Sequence, residues 1–168
     1  MGYWYSRRFG VFPRKQQMII ISHRGNLEGP LPSKENSLEY IDDAIHQGFL
    51  VEVDLRVVSE ELYLGHDEPQ YKISSEWIEK RKNFLWIHAK NKDALSFCLN
   101  NNFHVFWHNT DDYTITSRGY VWAFPGKYVS GNLCVGVLPE LHWTVSETYL
   151  QNFFGVCTDY PTKFLTKS

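Results

Sequence analysis

IIISHRG at 19–25, ENSLEYIDDAIHQGFLVEVDL at 35–55 and LYLGHDE at 62–68 decide the fold of this chain. Each segment carries an apolar run, and two of the runs end on a histidine, His23 and His66. Glu52 and Asp54 stand two apart near the end of the middle run. Residues two apart on a strand point to one face. Two carboxylates therefore converge on one side, and two imidazoles arrive at strand ends nearby. That combination suits metal-assisted acid–base hydrolysis.

The loop between these groups is short. His66 stands twelve positions after Asp54, so only eleven residues lie between them, whereas a parallel crossover takes a dozen or more connecting residues. The chain is expected to fold back as a hairpin turning near Ser59–Glu61. A turn centred on Glu60 sets His66 opposite Asp54.

Further out, strands are expected at 18–22, 49–53, 84–88, 103–107, 120–123, 133–137 and 155–158. Helical spacing appears at 36–47, where Ser37 is placed to cap and Gly48 to stop. It appears again at 74–82, 92–101 and 144–153. Repeated β-then-α order predicts a largely parallel sheet with helices outside. Counting the hairpin return gives about eight strands. The expected fold class is α/β: a compact, distorted (β/α)8 TIM-type barrel with some helices missing, most clearly between Trp107 and Tyr120.

The chain has 168 residues, enough for one domain with its own core. Residues 1–17 are read as an accessory arm or upstream extension, and 18–168 as the barrel domain. The MGxxxS string at 1–6 is only a weak match to an acylation pattern. A formal net charge of −2 excludes a global basic field for holding nucleic acid. No apolar run reaches the ~18 residues of a membrane span. Cys98, Cys134 and Cys157 show no metal-type spacing, which suits buried free thiols in a reducing cytoplasm.

HRG, a following EN, then ExD, then GHD together resemble the glycerophosphodiester phosphodiesterases, within the wider group of phospholipase-C-like barrels. GVCTDYPTKFL at 155–165 resembles that family's last strand and its close. The resemblance spans about Ile19 to Leu165 and is strongest in the first third. It implies a distorted barrel that cleaves phosphodiesters with one bound divalent ion; the presence of His88, where the family has an acid, makes magnesium, manganese or zinc the expected ion in preference to calcium. His23 and His66 match the acid–base pair, Arg24 the phosphate-contacting arginine, and Glu52 and Asp54 two metal ligands. Lys90 matches a lysine two residues after the family's third acidic ligand.

That third acid is replaced here by His88. Either His88 ligates a softer metal, or metal is held through Glu52, Asp54 and Glu35 with more water. His108, at the end of the fifth strand, either faces the cavity or is displayed on the surface. The expected substrate is a small head-group phosphodiester. The alternative is a non-catalytic barrel that binds a phosphorylated ligand or a protein partner.

Each residue also has a plainer reading. A histidine at a strand end is more often structural than catalytic; His23 and His66 depart from that because each sits in a motif and the hairpin unites them. Paired carboxylates among apolar neighbours are costly unless ion-paired or metal-bound. Arg24 is equally able to pair with a carboxylate, and Glu35 to brace the helix start.

Overall fold

The computed structural model describes residues 18–127, 131–141 and 153–164. The expected arm, 1–17, lies outside the described residues. So do residues 144–152 of the helix expected at 144–153, while Phe153 begins a strand.

The elements are β1 (Ile19–His23), α1 (Leu38–His46), β2 (Leu50–Val58), β3 (Glu61–Leu64), β4 (Tyr71–Ile73), α2 (Ser75–Arg81), β5 (Leu85–Ala89), α3 (Lys92–Asn100), β6 (Val105–Phe106), β7 (Tyr113–Ile115), β8 (Val121–Ala123), β9 (Gly131–Val137) and β10 (Phe153–Thr158). All ten strands form one sheet. Its main path runs β4-β3-β2-β1-β10-β9-β8-β7, and β5 joins β2 on its other edge and carries β6. β2 is long enough to serve three partners. Its first half pairs in parallel with β1 and β5, and its second half pairs antiparallel with β3.

The expectation of a (β/α)8 barrel is overturned. The sheet is mixed, it curls into a half-barrel, and the described residues contain only three α-helices. In a closed barrel of this type every strand-to-strand step is carried by a helix on the outer face. Here α1, α2 and α3 share a core with β2, β3, β4, β5 and β6 and leave the rest of the sheet without an outer helix among the described residues. Past Phe106 the chain makes the antiparallel β7–β8 hairpin instead, and β8 pairs directly with β9. Gly119, Pro125 and Gly126 punctuate that stretch, and no helical run fits between them. β4 and β7, three residues each, were not expected; they are too short to show an alternating pattern.

The core is split by the sheet. On the helix side, Val51, Val53, Leu55, Leu85, Ile87 and Ala89 pack against Ile41, Ala44, Ile78, Ala94 and Cys98. On the concave side, Ile21, Trp86, Phe106, Trp122, Val135, Val137 and Cys157 form an apolar floor. Trp122 stacks on Phe106 with centroids 4.4 Å apart. All three cysteines are free, as expected, and buried, which the apolar segments around Cys98 and Cys157 predict for those two. No helix among the described residues is long and apolar enough to cross a membrane.

The hairpin turns as expected but one residue earlier. Leu55 pairs with Leu64 and Val58 with Glu61, so the turn is the two-residue Ser59-Glu60, both at positive φ (51° and 66°). That is the backbone of a type I′ turn, the one that matches strand twist. The register moves by one: Gly65, not His66, lies opposite Asp54 and donates to its carbonyl at 3.0 Å. His66 then stands just beyond the pairing.

Candidate functional site

The parallel register gathers the site at the C-terminal ends of β1, β2, β5 and β10. His23 aligns with Glu52, and Ser22 with Thr158, so the residue after Thr158 comes level with His23. Asp54 aligns with His88. Period-two alternation puts Glu52, Asp54 and Arg56 of β2 on the concave face, with Trp86 and His88 of β5 and Lys90 just after it. Ile87 and Ala89 point to the helix side.

Glu52, Asp54 and His88 each offer a donor atom, and these atoms lie within 4.8 Å of one another. Asp54 is fully buried and Glu52 is 2% exposed. His88 Nδ1 lies 3.2 Å from Asp54 Oδ1 and 3.7 Å from Glu52 Oε1. Among the described residues, Glu52 Oε2 and Asp54 Oδ1 are buried without an aligned hydrogen bond. Unmatched buried carboxylate oxygens are costly, and a bound cation is one way to offset that cost. The residues present thus fit a divalent ion. Burial, then the charge of Asp54, pushes the Glu52 carboxyl up from its ordinary range. Burial acts on Asp54 in the same direction. There the His88 ring, in its protonated form, and the Arg24 guanidinium outweigh it and hold the carboxyl well below its usual value.

Arg24 sits at φ 55° directly after β1. Its Nε lies 3.0 Å from Asp54 Oδ2 and its Nη1 donates to Glu35 Oε2 at 3.0 Å. Lys90 Nζ is 3.7 Å from Asp54 Oδ1, so both expected phosphate-binding cations reach the site. Glu35 is not among the clustered donors. It braces Arg24 and accepts from Asn26 Nδ2.

His23 and His66 line one cleft of about 420 Å³, together with Arg24, Glu35, Asn36 and Asp159. Burial alone lowers the His23 imidazole, but a 2.7 Å contact with Asp159 and the charge of Glu52 leave it raised. His66 goes the other way. Burial is the largest cause of its lowering, and Arg24 and Lys90 add to it. His66 is the more exposed of the two, and its Nδ1 contacts Asp67 at 2.7 Å.

Asp159, Asn26 and Arg56 hold the site without a role assigned to them from the sequence, and Asn36, part of the EN motif, holds it too. Asp159 and Asn26 form a buried chain to His23, with Asn26 Nδ2 donating to Asp159 at 2.8 Å. Asn36, at φ 62°, donates to Asp54 Oδ2 at 3.0 Å and accepts from the Asp54 amide at 2.9 Å. Arg56 donates to the carbonyls of Gly65 (3.2 Å) and His66 (2.5 Å), tying down the loop that carries His66. Arg56 was findable, since it continues the alternation Glu52, Asp54. Asp159 was findable in the TDYP string that follows the last strand. No local pattern marks Asn26.

No family model, no curated protein and no solved structure matches the chain.

Proposed function

We propose that this protein hydrolyses a small phosphodiester, such as a glycerophosphodiester, with one divalent metal ion and a pair of histidines. One observation carries the reading. Two imidazoles with opposite pKa displacements share a cleft with Arg24, next to a buried set of metal donors. Groups whose environments push them apart are suited to acid and base roles.

Glu52, Asp54 and His88 would hold the ion. When bound, it supplies positive charge to a non-bridging phosphate oxygen. His23 presents Nδ1 to Asp159, which fixes the ring and leaves Nε2 for the substrate. Its raised pKa favours the protonated form, which suits it to the general-acid role of giving a proton to the departing alkoxide. His66, with its lowered pKa, is the general base. It takes the proton of the nucleophile, either water or a hydroxyl of the substrate itself, as the new P–O bond forms. Arg24 and Lys90 counter the charge that grows on the phosphoryl oxygens. Arg24 is already oriented by Glu35 and Asp54 before substrate arrives, which lowers the cost of placing it. A cleft of this size suits a small polar head group. Three free, buried thiols support a cytoplasmic setting.

Release of p-nitrophenol from bis-p-nitrophenyl phosphate, across a panel of divalent metals, tests the reading. His23→Ala and His66→Ala should each lower turnover by about 10²–10⁴-fold. Metal-dependent release no greater than that of the His23→Ala protein would overturn it in favour of a non-catalytic phosphate-binding protein.

A further inference from the structure

His88 Nε2 lies 2.9 Å from the main-chain carbonyl oxygen of His108. A carbonyl oxygen only accepts, so Nε2 must carry a hydrogen. In the neutral ring that leaves Nδ1 with a bare lone pair. Nδ1 faces the acidic side: Asp54 Oδ1 at 3.2 Å and Glu52 Oε1 at 3.7 Å. Those oxygens are acceptors too, and among the described residues Asp54 Oδ1 has no aligned hydrogen bond. Three lone-pair donors thus converge, and one of them is nitrogen.

The His108 carbonyl is itself well held. Thr114 Oγ1 donates to the neighbouring carbonyl of Trp107 at 2.8 Å. The His108 ring donates to the Asp111 carbonyl at 2.5 Å and meets Phe124 edge-on at 5.4 Å. Asp112 accepts from the Phe124 amide at 2.9 Å and pairs with Lys127 at 2.9 Å. Residues 107–112 therefore form a strap tied to the β7–β8 hairpin. Phe106 stacks on the His88 ring, 4.9 Å between centroids and 14° between planes, which fixes the ring plane.

We infer that the 107–112 strap locks His88 as an Nδ1 metal ligand, so that the site selects nitrogen-accepting metals of the zinc, cobalt and manganese class over magnesium and calcium. This rests on the metal site of the proposed function but not on its chemistry. Imidazole suits zinc and its neighbours, whereas magnesium and calcium take oxygen ligands. A ligating histidine characteristically gives its other ring nitrogen to a carbonyl or carboxylate, and losing such support costs about 10–100-fold in metal affinity. The strap is that support here.

The test uses the full chain. Ring ¹⁵N NMR of the metal-free protein at neutral to mildly alkaline pH should show His88 as the Nε2–H tautomer. Adding zinc should move the Nδ1 resonance and leave the Nε2 proton in place. By calorimetry, zinc should bind at least 10-fold tighter than magnesium. His88→Gln extends an amide to the His108 carbonyl but removes the donor at the Nδ1 position; it should lose that zinc preference. An Nδ1–H tautomer, or a His88 resonance unmoved by zinc, would overturn the inference on the wild-type protein alone. So would an unchanged metal ranking in folded His88→Gln. Zinc ligation without phosphodiester cleavage would instead sink the proposed function and leave this inference standing. Turnover supported equally by magnesium in both proteins would do the reverse.

Discussion

Asp159 Oδ1 lies 2.7 Å from His23 Nδ1, although 136 residues separate them along the chain. The contact follows from the parallel pairing of β1 with β10, which brings the residues after Ser22 and Thr158 level. It overrides the lowering that burial imposes on the imidazole.

Asp159→Asn should therefore lower the His23 pKa. If His23 is the general acid, the alkaline limb of the pH–rate profile should move to lower pH by the same amount as the His23 NMR titration. Stability gives a second readout. A histidine whose folded pKa is raised contributes stability that is fully present below the unfolded value of about 6.5. That contribution is lost as pH rises through the folded value. The gap between wild type and Asp159→Asn in urea denaturation should shrink across that rise. A gap that widens would contradict the assignment.

Asn36 holds both the main chain and the carboxylate of Asp54. Asn36→Ala leaves a buried amide and a buried carboxylate oxygen without these partners and keeps the left-handed backbone at φ 62°. Losing a bond to a charged group costs roughly 1.5–3 kcal/mol, and an orphaned buried donor adds to that. The expected destabilisation is about 2–4 kcal/mol by urea unfolding. A loss under about 0.5 kcal/mol, typical of an unremarkable surface site, would show that Asn36 does not hold Asp54.

Gly65 sits at φ 146°, where an added Cβ would lie 2.1 Å from the Glu68 carbonyl oxygen. Backbone must move, and the adjacent residue is His66. Gly65→Ala should cost about 1–3 kcal/mol of stability. It should also lower turnover on bis-p-nitrophenyl phosphate by at least roughly 10-fold, as misplacement of a catalytic group does. Zinc affinity measured by calorimetry should fall by less than turnover, because Gly65 meets the metal donors only through its amide hydrogen bond to the Asp54 carbonyl. Wild-type turnover in the variant would separate His66 from the reaction.

His104 is buried between Trp86 and Tyr120, and among the described residues its Nε2 has no partner. Burial, with help from Arg118, pushes its pKa down to about 3. The unfolded chain then binds a proton that the folded chain refuses, so stability falls as pH drops from about 6.5 toward that value. His104→Phe removes this proton uptake and should shift the acid-unfolding midpoint to lower pH, followed by tryptophan fluorescence. An unshifted midpoint would mean His104 ionises freely in the folded protein.

The sequence by itself determined the local and periodic parts of this protein. Glu52 and Asp54 share a face because strands repeat every two residues, and His88 and Lys90 do so for the same reason. Met18–Ser22 and Phe49–Val53 read as buried strands, and the short Asp54–His66 interval forced a hairpin. The register of that hairpin was set by the Ser59-Glu60 turn, whose two positive φ values no residue type there announces. A one-residue difference is invisible to a pattern of period two except by which side chain faces in. Closure was decided only in three dimensions. Barrel or half-barrel depends on whether the chain past Phe106 supplies outer helices or a direct β8–β9 pairing, and short strands such as Tyr113–Ile115 carry too little pattern to tell. The partners of His23 and Asp54 were decided the same way. Asp159, Asn26 and Asn36 act through long-range register and buried hydrogen bonds, which a linear chain does not display.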